Sequence, residues 1–564
     1  MRTPFVVTFT LSLLLPTLPT AAQDTERVNL DSSGTETNKP SDYPRCITTS
    51  ADGFVVAFTS AASNLVAGDL NGAADVFVHD RSTGTTERVS IDSSGVEGNL
   101  DSGRGGGLAP SADGRIVAFT SDATNLVAGD GNGMTDVFVH DRTTGVTERV
   151  SVDSAGAEGD ANSFSVAMSA DGALVAFGSS ATNLVAGDTN AVNDVFVHDR
   201  TTGTTERDSV RSSGVEGNGS SFAPAISADG LVVAFASDAT NLIASDANGV
   251  TDVFVHDRTT GATKRVSIST GGAAGNKASG ASNGPALSAD GQFVAFDSDA
   301  TNLVMGDTNA ATDIFVRDTV ALTTERVSVD SSGAQGKDNS PRAAISADGR
   351  IVAIQSSAAN LVASDTNKVA DIFLHDRSSG LTERVSVDSS GAQANGGSTS
   401  PAISADGHVA AFLSTATNLV AGDSNGVTDD FVHERCSIAA AWSNYGAGFP
   451  GSGGVPGFTS QSNPVLGSSI TLDVGNSLGS PTIGFLFIGF QRTTLHSSWG
   501  GDLLVVPALT VPISFLFGGV SFTGGFPDEM NLCGFTVDLQ AIEADPGAAK
   551  GVSFTPGLEL LLGT

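Results

Sequence analysis

Seven short acidic motifs are the residues of this chain whose types and spacing suggest chemistry. Each reads Asp-x-Asn-x-x-x-Asp on a short, polar and often glycine-containing loop. They are Asp69/Asn71/Asp75, Asp130/Asn132/Asp136, Asp188/Asn190/Asp194, Asp246/Asn248/Asp252, Asp307/Asn309/Asp313, Asp365/Asn367/Asp371 and Asp423/Asn425/Asp429. Alternating carboxylate and amide oxygens are ligands for Ca²⁺, although the motif is shorter than an EF-hand loop and lacks its closing Glu. Asp and Asn also cap turns in their own backbone, so the pattern predicts either calcium sites or structural turns.

A histidine recurs at one position shortly after each acidic motif, with one exception. The histidines are His79, His140, His198, His256, His375 and His433, and Arg317 replaces the histidine once. Because equivalent residues on separate repeat units cannot converge on one metal ion, we expect a structural role at a strand end. In the tail, His496 and Asp502 form a loose pair without a nucleophile at a recognisable spacing.

These residues belong to a repeat that must position them. The tetrapeptide Ser-Ala-Asp-Gly begins at Ser50, Ser111, Ser169, Ser227, Ser288, Ser346 and Ser404, so successive copies are 61, 58, 58, 61, 58 and 58 residues apart. A fixed period of this kind is the signature of a repeat architecture. Each copy contains four strand-like segments, A to D, with Asp-Gly as the A–B hairpin turn.

The strand pattern predicts an all-β fold, a seven-bladed β-propeller over residues 23–437. Strands B and C are apolar at consecutive positions, as expected when each four-stranded blade packs between two neighbours. A strand D at residues 25–28 precedes the first Ser-Ala-Asp-Gly, whereas the last copy ends at a strand C, residues 430–434. We therefore expect the N-terminal strand to complete the last blade and close the ring.

The repeat resembles the TolB-type, WD-like propeller repeat. The resemblance rests on Ser-Ala-Asp-Gly, where that family has Ser-Pro-Asp-Gly, on Val-Phe-Val-His-Asp as the third strand, and on Arg-Val-Ser as the fourth. It covers about 410 residues and implies a propeller fold. The B–C segment departs from the family, because it is longer here and carries the acidic motif, so the family's function does not transfer to this loop.

After the repeats, residues 438–457 are predicted to be a Gly/Pro-rich connector, and residues 458–564 a small β-sandwich or jelly-roll-like domain with short strands between Gly, Asn and Pro turns. The opening Tyr-Gly-Ala-Gly-Phe-Pro-Gly and the motif Gly-Gly-Asp-Leu-Leu-Val resemble C-terminal domains of exported, repeat-bearing proteins of planctomycete-type bacteria. The resemblance implies no activity.

Composition and the N-terminus indicate an exported protein. Residues 1–22 read as a signal peptide, with one positive charge, an apolar stretch over 5–15 and small residues before a cleavage site after Ala22. No other stretch is apolar enough to be a transmembrane segment. Cys46, Cys436 and Cys533 permit at most one intramolecular disulfide. With 62 acidic and 28 basic residues and a net charge of −34, nucleic acid is excluded as a partner, and cations or cationic surfaces are favoured.

The function predicted from these features is a secreted, periplasmic or cell-surface scaffold that binds an unidentified protein or carbohydrate. The B–C and D–A loops emerge on the same side of each blade, so the ligand is expected on this loop face. The alternative is a propeller hydrolase or lyase acting on an extracellular polysaccharide or another polymer, although the uniform repeats disfavour a catalytic blade. One further expectation concerns Leu322, which replaces a turn glycine and should avoid a positive φ.

Overall fold

The computed structural model describes residues 7–8, 24–41, 47–244, 246, 248–435, 440–465, 468–526 and 535–563. The chain divides into two compact units, one spanning Asp24–Glu434 and the other containing Arg435–Thr564 together with the N-terminal residues Met1–Gln23. Nearly all regular structure is β; the described exception is a 3-10 turn at Arg104–Gly106. The signal-peptide prediction and the three cysteines lie outside the described residues, apart from the two-residue strand Val7–Thr8, which pairs parallel with Phe522 and Thr523.

The unit Asp24–Glu434 is a seven-bladed β-propeller in which each blade is an antiparallel sheet of order A-B-C-D. Strands A to D are Ile47–Thr49, Val55–Ser60, Asp75–Asp80 and Thr85–Arg88 in blade 1; Leu108–Pro110, Ile116–Ser121, Asp136–Asp141 and Val146–Arg149 in blade 2; Ser163–Met168, Leu174–Ser179, Asp194–Asp199 and Thr204–Arg207 in blade 3; Ser221–Ile226, Val232–Ser237, Asp252–Asp257 and Ala262–Arg265 in blade 4; Ala286–Leu287, Phe293–Ser298, Asp313–Asp318 and Thr323–Arg326 in blade 5; Arg342–Ile345, Ile351–Ser356, Asp371–Asp376 and Leu381–Arg384 in blade 6; and Ser398–Ile403, Val409–Ser414, Asp429–Glu434 and Asp24–Arg27 in blade 7.

The apolar runs of strands B and C form the blade cores because both of their faces are covered by neighbouring blades. In blade 1, Phe58 on strand B lies opposite Phe77 on strand C, and the two rings stack with centroids 5.9 Å apart. The same pair recurs in every blade except blade 6, where Ile354 stands opposite Phe373. Burial of these aromatic pairs is the main favourable contribution to blade packing.

The ring closes through the N-terminal strand and through a circle of backbone hydrogen bonds. Asp24–Arg27 pairs antiparallel with Asp429–Glu434, the pairing expected from the phase of the repeat. The alanine of each Ser-Ala-Asp-Gly donates its N–H to the carbonyl of the alanine in the next blade, at 2.8–2.9 Å, and Ala405 donates to Ala51 to complete the circle. Strands A of neighbouring blades contact each other around the ring and are therefore innermost.

The Asp-Gly turns are fixed by local chemistry and by the neighbouring blade. In blade 1, Asp52 accepts hydrogen bonds from the Ser50 hydroxyl at 2.6 Å and the Phe54 N–H at 3.1 Å. Gly53 has φ +75°, and a Cβ there would lie 2.6 Å from Val409 of blade 7. This position therefore requires glycine for both its conformation and its closeness to the adjacent blade.

The D–A segments lie on the loop face in part, whereas the sequence predicts this for the whole segment. The first part of each, such as residues 30–36, folds into a small hairpin against the outer strand D of the next blade. There Ser32 accepts the N–H of Thr86 at 2.9 Å, and Thr86 also donates its hydroxyl to the Leu30 carbonyl. An outer strand exposes unpaired backbone groups, so the Ser-Ser-Gly sequences cover edges, and for them the prediction is wrong. The second part of each segment lies against the B–C loops, as in blade 1, where the Gly98 carbonyl accepts a hydrogen bond from Asn71 Nδ2 at 2.8 Å.

The expectation for Leu322 is also wrong. Its φ is +59°, close to the +69° of its counterpart Gly261. The carboxylate of Asp318 accepts the N–H groups of Val320 and Ala321, both at 2.8 Å, and so holds the turn in the shape of its siblings. These hydrogen bonds outweigh the modest cost of a left-handed conformation at a residue with a Cβ.

The C-terminal unit consists of two main sheets. Its strands are Ala441–Tyr445, Phe458–Ser460, Ser469–Val474, Thr482–Gly489, Arg492–His496, Asp502–Val505, Leu509–Phe515, Val520–Gly525, Thr536–Ala544, Val552–Phe554 and Gly557–Leu561. Within the predicted connector, Ala441–Tyr445 forms a strand that pairs with Gly557–Leu561 inside the larger sheet, whereas residues 446–457 contain no strand. Alternate residues of Thr536–Ala544 face the core between the sheets. Among the described residues, no helix is long and apolar enough to cross a membrane.

Candidate functional site

Each acidic motif surrounds an arginine from strand D of its own blade. In blade 1, the Arg88 Nη1 lies 3.2 Å from Asp75 Oδ2 and 3.6 Å from Asp69 Oδ1. The same nitrogen lies 2.6 Å from Glu97 Oε2, and both aspartate side chains are almost fully buried. The two aspartates predicted as metal ligands therefore already share a cation that the protein supplies.

The asparagine of the motif serves the turn. In blade 1, the Oδ1 of Asn71 accepts the N–H of Ala73 at 2.8 Å, which is the hydrogen bond of an Asx-turn. Its Nδ2 donates to Asp75 Oδ2 at 2.9 Å and to the Gly98 carbonyl at 2.8 Å. The amide therefore directs N–H groups, rather than its oxygen, at the neighbouring carboxylate.

The other six asparagines of the motifs take the same orientation, which disagrees with the prediction that they supply oxygen ligands to a cation. In each, Nδ2 donates to the second aspartate of the motif, at 2.8–3.4 Å, and Oδ1 accepts the backbone N–H two residues later, at 2.8–3.3 Å. These asparagines are Asn132, Asn190, Asn248, Asn309, Asn367 and Asn425. The physical reason is that the Asx-turn already uses the amide oxygen, while the buried carboxylate requires a hydrogen-bond donor.

The arrangement with arginine also recurs in all seven blades. The arginines are Arg27, Arg88, Arg149, Arg207, Arg265, Arg326 and Arg384, and each lies within 3.8 Å of both aspartates of its motif. A third carboxylate joins in four consecutive blades through Glu36, Glu97, Glu158 and Glu216, and its place is taken by Ala274, Gln335 and Gln393 in the others.

Carboxylates outnumber cations at these sites. Burial raises the pKa of Asp69 to about 6, and the nearby charge of Asp75 acts in the same direction, whereas Arg88 opposes both. In blades 1 and 2, one oxygen of each of the three carboxylates lies within 4.8 Å of the other two. A metal ion bound there would have to share the site with the guanidinium. Calcium at these motifs therefore stays a prediction, while the turn and the ion pair are described directly.

The recurrent histidines are structural. His79 Nδ1 lies 2.9 Å from the hydroxyl oxygen of Thr86 on strand D. Because that hydroxyl donates to the Leu30 carbonyl, it can only accept from histidine, which assigns the proton to Nδ1. Burial lowers the pKa of His79 and keeps the ring neutral. In blade 5, Arg317 donates to Thr324 at 3.0 Å and takes the same structural role.

The residues that depart from the repeat pattern lie at the start of the inner strands, the strands A. Blades 2 and 5 carry three extra residues in segments 103–107 and 280–284, immediately before strand A. In blades 3, 4 and 7, strand A begins with a bulge in which Ser165, Ala223 and Ser400 have positive φ. We call segments 103–107, 164–165, 222–223, 282–284, 342 and 399–400 the collar, which lies at the start of the inner strands in blades 2 to 7.

Contacts between blades hold the collar together. The Ser165 hydroxyl donates to the Gly105 carbonyl at 3.0 Å, and Asn283 Nδ2 donates to the Pro341 carbonyl at 2.9 Å. Arg342 Nη1 donates to the Ser400 hydroxyl at 2.8 Å. Each contact joins two adjacent blades, so the non-repeating residues are linked between blades 2 and 3 and across blades 5, 6 and 7. The candidate-site prediction missed the collar, although the two 61-residue spacings were its signal.

Segment 280–284 has the spacing Gly-x-Ser-x-Gly but not the geometry of a nucleophile elbow. It is a loop between two strands, whereas that motif requires a strand-to-helix turn. The Ser282 N–H donates to Asp297 Oδ2 at 3.1 Å, so the buried carboxylate holds the inserted loop. In the C-terminal unit, His496 Nδ1 and Asp502 Oδ1 are 2.8 Å apart but exposed, on a two-stranded hairpin.

The fold and the site define a closed, seven-bladed β-propeller with a non-repeating collar. No family model matches the sequence, and no curated protein matches it. Among solved structures, the chain is similar to TolB from Acinetobacter baumannii (15% identity, TM-score 0.33, covering 69% of this chain and 78% of that one). It is similar to a putative TolB from Agrobacterium tumefaciens (15%, 0.31, 50% and 79%) and to a GH74 xyloglucanase from Xanthomonas campestris (9%, 0.38, 80% and 59%). These similarities are too distant to indicate a ligand, and the fold assignment rests on the strand pairing.

Proposed function

We propose that this chain is an extracytoplasmic binding scaffold whose propeller presents the collar to a protein or carbohydrate ligand. The observation that carries the proposal is the convergence of the non-repeating residues at one end of the inner strands. The repeated polar residues, by contrast, bind one another within and between blades. Loops on a rigid scaffold are where binding residues usually lie, and uniform repeats elsewhere leave the collar as the surface that differs from blade to blade.

The collar offers groups suited to an extended polymer. Phe164 and Phe222 are half-buried at the start of strands A in blades 3 and 4. Beside Phe164 lies the glycine-rich turn at 104–106, which includes the partly exposed side chain of Arg104. Aromatic faces and guanidinium groups bind both sugar rings and peptide chains. An acidic surface around them favours ligands that are neutral or carry positive charge.

A binding screen with matched variants tests this proposal. Purified protein without residues 1–22 would be applied to a glycan array and to a displayed-peptide library, and the hits remeasured by calorimetry. The double variant Phe164→Ala, Phe222→Ala should lose at least tenfold in affinity, about 1.4 kcal/mol. Phe54→Ala is the control, because Phe54 is 50% exposed on an A–B turn at the opposite face.

Two other outcomes are distinguished from the expected one. Equal loss in both variants, or loss in Phe54→Ala alone, would contradict a site at the collar. Release of reducing ends from a bound polysaccharide would instead support the hydrolase or lyase hypothesis.

A further inference from the structure

A second acidic constellation lies in the C-terminal unit, outside the repeats. Glu543 and Asp545 occupy alternate positions at the end of the strand Thr536–Ala544, and their relative exposures are 1% and 0%. They follow Val537, Leu539 and Ala541, which face the core between the two sheets. Side chains two residues apart on a strand point to the same face. Both carboxylates therefore lie at one end of the apolar core.

Neutral donors hold both carboxylates. Glu543 Oε1 accepts from the Ser477 N–H at 2.6 Å and the Ser553 hydroxyl at 2.8 Å. Asp545 accepts from the Ser452 hydroxyl at 2.6 Å and the Ser477 hydroxyl at 3.0 Å. The Ser477 hydroxyl oxygen also contacts Glu543 Oε1, so this serine lies between the two acids.

One carboxylate oxygen of the pair has no hydrogen-bond partner among the residues that the structure describes. Glu543 Oε2 is buried and makes no hydrogen bond to any described residue. Within the described ranges, neither Glu543 nor Asp545 forms an ion pair with a basic side chain; Arg492 of the same unit pairs with Asp538 and Glu559 instead. Burying an unpaired carboxylate costs several kcal/mol, so a compensating positive group is expected here.

A backbone donor holds Asp545 as well, because the Gly547 N–H donates to Asp545 Oδ1 at 3.0 Å. A glycine loop also packs closely against the pair, because a Cβ on Gly451 would lie 2.3 Å from Asp545 Oδ2 and 2.0 Å from the Ser477 hydroxyl oxygen.

We propose that Glu543 and Asp545 bind one calcium ion, with the Ser477 hydroxyl between them as a further oxygen ligand. A hard divalent cation takes carboxylate and hydroxyl oxygens, and it would supply both the charge and the partner that Glu543 Oε2 lacks. The donors come from both sheets, since Ser477 follows the strand Ser469–Val474, whereas Glu543 lies in the strand Thr536–Ala544 and Asp545 directly follows it. The ion would therefore join the sheets at this end of the core.

The tryptophans allow the effect of Ca²⁺ on the C-terminal unit to be measured separately from any effect at the acidic motifs of the propeller. The chain contains two tryptophans, Trp442 and Trp499, and both lie in the C-terminal unit. Tryptophan fluorescence therefore reports unfolding of this unit alone. In the full chain, the fluorescence-detected Tm should rise by several degrees in millimolar Ca²⁺ and fall in chelator. The response to Mg²⁺ should be weaker, because Mg²⁺ demands stricter octahedral geometry.

Two variants test whether the Ca²⁺-dependent shift in Tm arises at Glu543 and Asp545. Glu543→Gln should bind at least tenfold less Ca²⁺ at the C-terminal unit and lose the Ca²⁺-dependent shift in Tm. Asp473→Asn is the matched control, because Asp473 is a partly exposed, hydrogen-bonded carboxylate of the same unit and should leave the shift unchanged. Equal shifts in wild type and Glu543→Gln would overturn the proposal. If Glu543→Gln does not fold, the wild type decides: a tryptophan transition identical in Ca²⁺ and chelator would equally overturn it.

Discussion

The two units of this protein bury aspartate and glutamate in opposite ways. In blade 1 of the propeller, Asp69, Asp75 and Glu97 gather around the guanidinium of Arg88. In the C-terminal unit, Glu543 and Asp545 share a serine and have no basic side chain among their described partners. The same residue types thus form a cluster around an internal arginine in one unit and a pair without a basic partner among the described residues in the other.

This difference indicates that a basic side chain within an acidic cluster, rather than the number of acids, determines whether the cluster is suited to bind a metal ion. A sequence search for oxygen ligands finds the propeller motifs first, because they repeat seven times at regular spacing. The strand-D arginines are just as regular, yet they are distant in sequence and read as part of a strand. The pair in the C-terminal unit occurs once and carries no pattern, although its chemistry suits a metal ion better.

Deleting residues 24–31 is the most severe disruption of the arginine-paired carboxylates of the propeller. The deletion removes the outer strand of blade 7 and takes Arg27 away from Asp423 and Asp429, which leaves two buried carboxylates beside an open edge. We expect the largest loss of propeller stability and marked aggregation. Circular dichroism follows the propeller, and tryptophan fluorescence provides the internal control for the C-terminal unit. A propeller that melts like the full protein would show that the N-terminal strand does not close the ring.

Arg149→Met removes the cation from a single motif. It leaves Asp130, Asp136 and Glu158 unneutralised, and loss of one partner of a buried ion pair costs about 3–5 kcal/mol. Burial, with the charge of Asp136, already raises the pKa of Asp130. A raised folded-state pKa means that stability is present at low pH and lost as pH rises, so urea denaturation should show a larger deficit at pH 8 than at pH 5.

The same variant tests whether arginine excludes metal. Without the guanidinium, three carboxylates with oxygens within 4.8 Å of one another should gain a Ca²⁺-dependent stabilisation at this blade. Arg115→Met, which removes the half-exposed partner of Asp141 in the same blade, is the control and should not gain a Ca²⁺-dependent stabilisation. Stabilisation of wild type and Arg149→Met by Ca²⁺ to the same extent would argue against arginine as the excluding group.

Asp208→Val should have the smallest effect on stability among these changes. It tests a buried carboxylate of the propeller that is paired with an arginine. Asp208 is buried where six sibling repeats have valine, and it lies 3.2 Å from the Nε of Arg258. Burial raises the pKa of Asp208 to about 7 despite that arginine. Wild type should therefore lose stability between about pH 4 and pH 7, as the unfolded state ionises first.

The valine variant lacks this loss, so its advantage in urea denaturation should be about 1–3 kcal/mol at pH 8 and smaller at pH 5. Arg258 keeps Glu206 and the Gly230 carbonyl as partners in the variant. Asp338→Val, at an exposed position of blade 6, should show no comparable pH dependence. An advantage that is the same at both pH values would contradict a buried, titrating Asp208.

The repeat allowed most of the propeller to be predicted, because spacing and phase determine strand order and closure. Side-chain partners at a distance were not predictable. Nothing local to Asp69 indicates that Arg88 will lie beside it, and the small hairpins that cover strand D depend on the neighbouring blade. Leu322 shows the same limit, since a hydrogen-bonding aspartate outweighed the preference of the residue itself. The Glu543–Asp545 pair requires the two sheets to be folded together before its environment exists.

The circle of alanine hydrogen bonds restricts how such a gene can change. Near-identical segments of 58 residues invite unequal recombination, which would add or remove one copy at a time. Ala405 reaches Ala51 only when seven units complete the turn, and each bond runs in the same rotational direction. An inserted or lost copy would leave the last donor without its acceptor and the N-terminal strand out of place. Copy number is therefore constrained by geometry.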